Sequence, residues 1–196
     1  MATYLYCLLT EASRESVPRL RGLEGAPVRA VLEMHTPLPA RFGQTFPDDA
    51  ALGTAVERRR EALLRALARV RGAVEMTVRA LLDPAPVALG PAPPGESGRE
   101  YLAWLRKRER KERAARAQAD FLHRRISDAV LGVVREEARA PAQSSACSLS
   151  VSHLVPRDAV TNYRLTIRAL TEGGPQLRLM VSGPWAPYSF AELRGV

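Results

Sequence analysis

Strand-like apolar runs alternating with amphipathic helical stretches predict an α+β fold for this chain. Its expected form is two small lobes with ferredoxin-like strand and helix order, one long charged helix and an extended aromatic C-terminal tail. Three observations predict it. Residues 4–9, 74–82 and 147–155 are apolar or alternate with period two, as strands do. Between them, apolar residues recur at helical spacing. Residues 83–97 hold five prolines (Pro84, Pro86, Pro91, Pro93, Pro94) and divide the helical regions with a loop that has no core of its own. The lobes are assigned to residues 1–72 and 73–196, the second comprising the Pro-rich loop 83–97, a long helix 98–139 and an extended tail 183–196.

In order, residues 4–9 read as a first strand, and Ser13 caps a short helix ending near Arg21. Residues 28–34 have the apolar density of a second strand. Pro37, Pro39 and Pro47 forbid a helix over 36–47 and suit an extended segment of edge type. Asp48 or Asp49 opens the next helix, whose apolar positions Leu52, Val56, Leu63, Leu64, Leu67 and Val70 oppose an arginine-rich side, and Gly72 ends it. In the strand 74–82, Val74, Met76, Val78 and Ala80 face one way and Glu75, Thr77 and Arg79 the other. The helix 98–139 starts heavily charged, with Tyr101, Leu102, Trp104 and Leu105 as an apolar grip. It finishes on a core stripe of Phe121, Leu122, Ile126, Val130, Val133 and Val134. A strand over 147–155, a helix from Asp158 with the stripe Val160, Tyr163, Ile167 and Leu170, and a last strand over 176–182 complete the lobe.

Composition narrows the function classes. Across 196 residues, 46% are apolar and 26% charged, as in ordinary soluble domains, and no apolar run approaches the ~18 residues of a membrane span. The apolar start lacks a basic n-region, so a cytoplasmic protein is expected. Cys7 and Cys147 read as two reduced, buried thiols in preference to a disulfide, and with His35, His123 and His153 scattered a zinc site has no support. The net charge of +8 raises nucleic acid as a partner, but 27 of the 29 basic residues are arginine, a skew that fits a GC-rich genome. The run 106–113 is the densest basic segment, and Glu109 with Arg113 makes an i, i+4 pair of the kind that marks a solvated helix face. No aromatic residue interleaves with that run as a stacking platform, so an acidic partner surface fits it better than nucleic acid. His153 and Asp158 lie five apart with no nucleophile beside them, and no catalytic motif is present, so no enzyme activity and no cofactor are expected.

Four strings occur together in a distinctive order: Tyr4-Leu5-Tyr6; Leu38-Pro39-Ala40-Arg41-Phe42-Gly43-Gln44-Thr45-Phe46; Gly98-Arg99-Glu100-Tyr101-Leu102; and Ser152-His153-Leu154-Val155, leading to Gly183-Pro184-Trp185-Ala186-Pro187-Tyr188-Ser189-Phe190. The second is similar to the Leu-Pro-x-Arg-Phe-Gly-Thr-x-Phe stretch of the gas vesicle F/L family, and the chain resembles that family over residues 36–192. Its members have a longer region ahead of the Arg-Phe-Gly segment, so the 28 residues between Leu9 and Leu38 make an abbreviated N-terminal lobe. The resemblance implies an accessory or minor structural role in gas vesicles. The protein would bind the main shell protein and other accessory proteins during assembly, with no catalytic residue, metal, small-molecule ligand or membrane.

Two segments stand out as partner contacts or domain clamps. In the tail, Pro184 and Pro187 hold the chain extended while Trp185, Tyr188 and Phe190 supply apolar area with little entropy to lose. A clamp within the fold is the first reading of these aromatics and a partner contact the second. Arg41, Phe42 and Gly43 form the other segment, either a binding loop or a structural one in which Arg41 pairs with an acid such as Glu75. A basic RNA-binding module with a ferredoxin-like sheet is the alternative function.

Overall fold

A computed structural model describes residues 3–5, 7–9, 31–32, 35–40, 44–82, 98–140, 147–171 and 177–191. At its centre is a four-stranded antiparallel sheet of β5 (Ala73–Leu82), β6 (Glu136–Ala140), β7 (Cys147–Pro156) and β8 (Leu177–Trp185), in the order β6-β7-β5-β8. One long helix (Gly98–Ala129) links β5 to β6, and a shorter one (Val160–Thr171) links β7 to β8. That is the βαββαβ order of a ferredoxin-like unit. Register follows the pleat: Val78 of β5 lies between Val151 of β7 and Val181 of β8.

The alternation read in residues 74–82 decides which face is covered. Val74, Met76, Val78 and Ala80 join Leu149, Val151 and Val155 against Leu122 and Ile126 of the long helix and Tyr163 and Ile167 of the shorter one. At one end of the opposite face, Ala73 and Leu154 form a second cluster with Leu38, Ala66, Leu67, Val70 and Phe190. Three of these come from α2 (Arg60–Val70), which follows α1 (Asp49–Arg58). Asp48 caps α1 as its sequence implies, its Oδ1 accepting from the Ala51 N–H at 2.8 Å. The long and short helices above are accordingly α3 and α4.

Several expectations need correction. Residues 48–72 form two helices rather than one, because Arg59 departs from helical angles at φ −116°, ψ 12°. The first strand is two short pairings, β1 (Thr3–Tyr4) with β4 (Thr45–Phe46) and β2 (Cys7–Leu8) with β3 (Leu38–Pro39). Val31 and Leu32 are helical, and the His35 N–H donates to the Val31 carbonyl at 2.9 Å. A short buried apolar run suits a helix as well as a strand, which is why density alone misled there. Arg157 ties that segment to the end of β7, donating to the carbonyls of Leu32 and His35, each at 2.6 Å.

The long helix stops at Ala129 instead of 139, and Glu136–Ala140 is a strand. Gly132, at φ 80°, makes the turn between them. Phe121 points away from the core and is 53% exposed. The helix expected over 13–21 and the loop over 83–97 lie outside the described residues. Cys7 is a free, partly buried thiol whose pKa burial pushes up. Among the described residues, no helix is long and apolar enough to cross a membrane.

Candidate functional site

The C-terminal segment is not an arm extended throughout its length. Gly183, Pro184 and Trp185 continue β8, and Tyr188–Phe190 closes into a 3-10 turn. At Gly183 the backbone takes φ +118° and passes so close to β5 that a Cβ would sit 2.7 Å from the Glu75 carbonyl oxygen and 2.8 Å from Met76 Sδ. The β5–β8 register shifts at this point, with Trp185 opposite Glu75 and Ser182 opposite Thr77.

Three side chains from different elements fix the segment. Glu75 of β5 is buried, and its carboxylate accepts from the Ser189 N–H at 2.8 Å and the Ser189 hydroxyl at 2.7 Å. Arg164 of α4 donates to the Gly183 carbonyl at 2.7 Å. Arg69 of α2 donates to the Phe190 carbonyl and lies 3.6 Å from Glu136 of β6. The Phe190 ring, 1% exposed, fills the second cluster, and Ala186 belongs to the first. The segment therefore bridges the packing on both faces of the sheet.

The three tail aromatics divide on this evidence. Phe190 is a clamp. Trp185 and Tyr188 remain 45% and 54% exposed on a backbone held at both ends, Trp185 with its indole N–H 3.4 Å from the Ser182 hydroxyl. Burial, with a smaller contribution from Cys7, pushes the Tyr188 hydroxyl above its ordinary pKa, so it stays a neutral donor. Large exposed aromatics on a pre-ordered backbone are what protein contacts use, since little entropy remains to be lost. Arg41, Phe42 and Gly43 lie outside the described residues. Glu75, the acid that the sequence suggests as a partner for Arg41, accepts from Ser189 through both carboxylate oxygens. Sequence reading missed the anchors Arg69, Arg164 and Ser189, for their spacing carries no local signal.

A second polar cluster lies under α3. His153 of β7 is fully buried, with Nδ1 2.7 Å from the Tyr163 hydroxyl and Nε2 3.2 Å from Glu137 Oε2. Glu137 also accepts from the Ser127 hydroxyl at 2.7 Å and contacts His123 Nε2. Burial draws the His153 pKa below 6.5, partly opposed by Glu137. The Glu137 carboxyl is held below 4.5, because hydrogen bonds from Ser127, His123 and His153 outweigh its desolvation. Burial, then the Glu137 charge, raises the Tyr163 hydroxyl. With Glu137 ionised, His153 donates from Nε2 and accepts the Tyr163 O–H at Nδ1, which satisfies every member. His153 thus turns to Tyr163 and Glu137, and the pairing with Asp158 weighed from sequence is not the one formed.

Comparison with known proteins places this architecture. Residues 28–192 match the family model described as gas vesicle synthesis protein GvpL/GvpF. Gas vesicle protein L of Streptomyces sp. (strain CB03234) is 29% identical over 178 residues, covering 85% of this chain and 66% of that protein. Gas vesicle protein F of the same strain is 33% identical over 168 residues, covering 79% of this chain and 70% of that protein. The chain thus spans about two thirds of the length of these relatives. Among solved structures, GvpF of Anabaena sp. PCC7120 superposes with a TM-score of 0.67 at 14% identity, covering 93% of this chain and 80% of that one. GvpF of Microcystis aeruginosa gives 0.65 at 16%, covering 94% and 81%. These two establish the fold, and with the family match over 28–192 the chain belongs to the GvpL/GvpF family of gas vesicle proteins.

Proposed function

We propose that this protein is an accessory or minor structural component of gas vesicles that binds the main shell protein and other accessory proteins during assembly, and acts by contact rather than by catalysis. The observation that carries the reading is the C-terminal segment, where Trp185 and Tyr188 are exposed on a backbone anchored by Glu75, Arg69 and Arg164. Family membership supplies the setting. Exposed aromatics match the apolar character of a shell protein, and their fixed geometry limits the entropy lost on binding.

The RNA-binding alternative finds little support in the same sheet. RNA-binding domains of this topology stack bases on aromatic side chains of the sheet. Here the face opposite α3 and α4 carries Glu75, Thr77 and Arg79 from β5 and Ser150, Ser152 and Leu154 from β7, without an aromatic from either central strand.

The test is deletion of the gene with complementation, vesicles being scored by electron microscopy. A Trp185→Ala/Tyr188→Ala variant should fold, co-purify poorly with the shell protein and restore few vesicles. Normal vesicles in the deletion strain would refute the assembly role, and full complementation by the double variant would move the contact elsewhere.

A further inference from the structure

The first two thirds of α3 stand apart from the body. Residues 106–118 are all exposed, and the first buried position of the helix is Ala119. Thirteen consecutive exposed residues span more than three turns, so no side of the helix rests on the protein there. From residue 98 to 118 the helix is an arm about 30 Å long at 1.5 Å per residue. Residues 106–116 carry seven basic side chains against two acidic ones, a net +5 out of +8 for the whole chain. Both acids are engaged within the helix, Glu109 by Arg113 at 2.6 Å and Glu112 by Arg108 at 2.8 Å. At the far end, Tyr101 stacks on Trp104 with centroids 6.1 Å apart, Arg108 lies 5.7 Å from the Trp104 centroid, and Tyr101 and Leu102 are about half exposed.

A helix stretch that is polar all round and has no buried position is either stabilised by its own ion pairs or built to bridge to something else. Intrahelical pairs of this kind contribute only a few tenths of a kcal/mol each, too little to explain why so long a charged stretch is held in solvent. We propose that this arm docks an acidic segment of a partner protein, its basic run meeting carboxylates and its Tyr101–Trp104 tip meeting an apolar patch. The proposal rests on the contact role above and gives it a second surface, distinct from the C-terminal aromatics.

Other occupants fit less well. A second copy would bring one +5 arm against another. Nucleic acid would meet Glu109 and Glu112 among the cations, and Trp104 already has Tyr101 and Arg108 against its ring, leaving it poorly placed to stack a base. A membrane-surface helix needs one continuous apolar face, whereas residues 106–116 offer only Ala114 and Ala115.

Three labelled probes test this on the full chain. They are a synthetic acidic amphipathic helical peptide with Glu on one face and Leu on the other, a DNA duplex of equal charge, and phosphatidylcholine vesicles containing phosphatidylglycerol. We expect the peptide to bind most tightly, with affinity falling about tenfold as added salt shortens the screening length. Arg106→Glu/Lys107→Glu/Arg110→Glu should weaken it tenfold or more, and Trp104→Ala, which leaves the charge untouched, about tenfold. Unchanged peptide affinity in the charge-reversed variant would overturn the proposal, as would tighter binding of DNA or vesicles. Vesicle assembly is scored separately in the complemented strain. Normal vesicles after deletion would sink the assembly role while leaving the binding result intact.

Discussion

At position 183 the backbone leaves no room for a Cβ atom. Gly183→Ala combines φ +118° with a 2.7 Å approach to a main-chain oxygen of β5, which cannot swing aside as a flexible side chain does. It should cost about 2–4 kcal/mol, from strained φ and overpacking together, read as a lower urea midpoint. A midpoint within error of the parent would show that β5 and β8 separate there without penalty. The buried histidine gives a second residue-scale prediction. His153 is held below its ordinary pKa of 6.5, so the unfolded chain binds more protons as the pH falls past that value. Its contribution is therefore complete above pH 6.5 and lost as the pH falls through the folded-state value. Glu137, held below 4.5, adds a second loss lower down with the same sign. Urea midpoints at pH 7 and pH 5 should differ more for the parent than for His153→Gln, which cannot titrate. Equal differences would remove His153 as the source.

Elements are recognised by pattern, and the pattern here was only partly decisive. Residues 74–82 and 147–155 were legible because alternation reports a face, and the stripe Tyr163, Ile167 because helical spacing reports one too. β6 was not legible. Glu136-Glu137-Ala138-Arg139-Ala140 is a sequence of helix formers, and pairing with β7 overrides that preference, as shown by Ala138 opposite Ser152. The one available signal was Gly132, a helix-stopping residue ahead of the strand. Within α3, spacing alone placed Phe121 beside Leu122 on the core stripe, yet Leu122 is 5% exposed and Phe121 53%. Leu122→Ala should thus cost about 2–5 kcal/mol. Phe121→Ala, whose ring meets Arg125 at the surface, should stay within about 0.5 kcal/mol. Thermal melts of the two variants decide it, and a larger loss for Phe121→Ala would reverse the assigned faces. In hydrogen exchange, amides of 98–118 should exchange far faster than those of 119–129, because only the latter lie under packed apolar residues.

On the scale of the whole molecule, the sequence motifs located the C-terminal segment but not its anchoring, since Glu75 and Ser189 lie 114 positions apart and no local spacing couples them. The same long-range packing bears on the division at residue 72. The second cluster draws Leu38, Ala66, Leu67 and Val70 from before that point and Ala73, Leu154 and Phe190 from after it. Its sheet residues Ala73 and Leu154 sit on β5 and β7, whose other faces carry Val74, Met76, Val151 and Val155 of the first cluster. Two clusters sharing the same strands cannot lose order separately without breaking the ladder between those strands. Unfolding of residues 31–82 with the rest of the sheet should accordingly be a single transition. Phe190→Ala, which opens a cavity on one side of the sheet, should lower that transition by about 3–5 kcal/mol without splitting it. Circular dichroism at 222 nm and the fluorescence of Trp185, read in a Trp104→Phe background, should report coincident midpoints in parent and variant. Midpoints that separate in Phe190→Ala would mean that the C-terminal ring, rather than the shared strands, holds the two clusters in one cooperative unit.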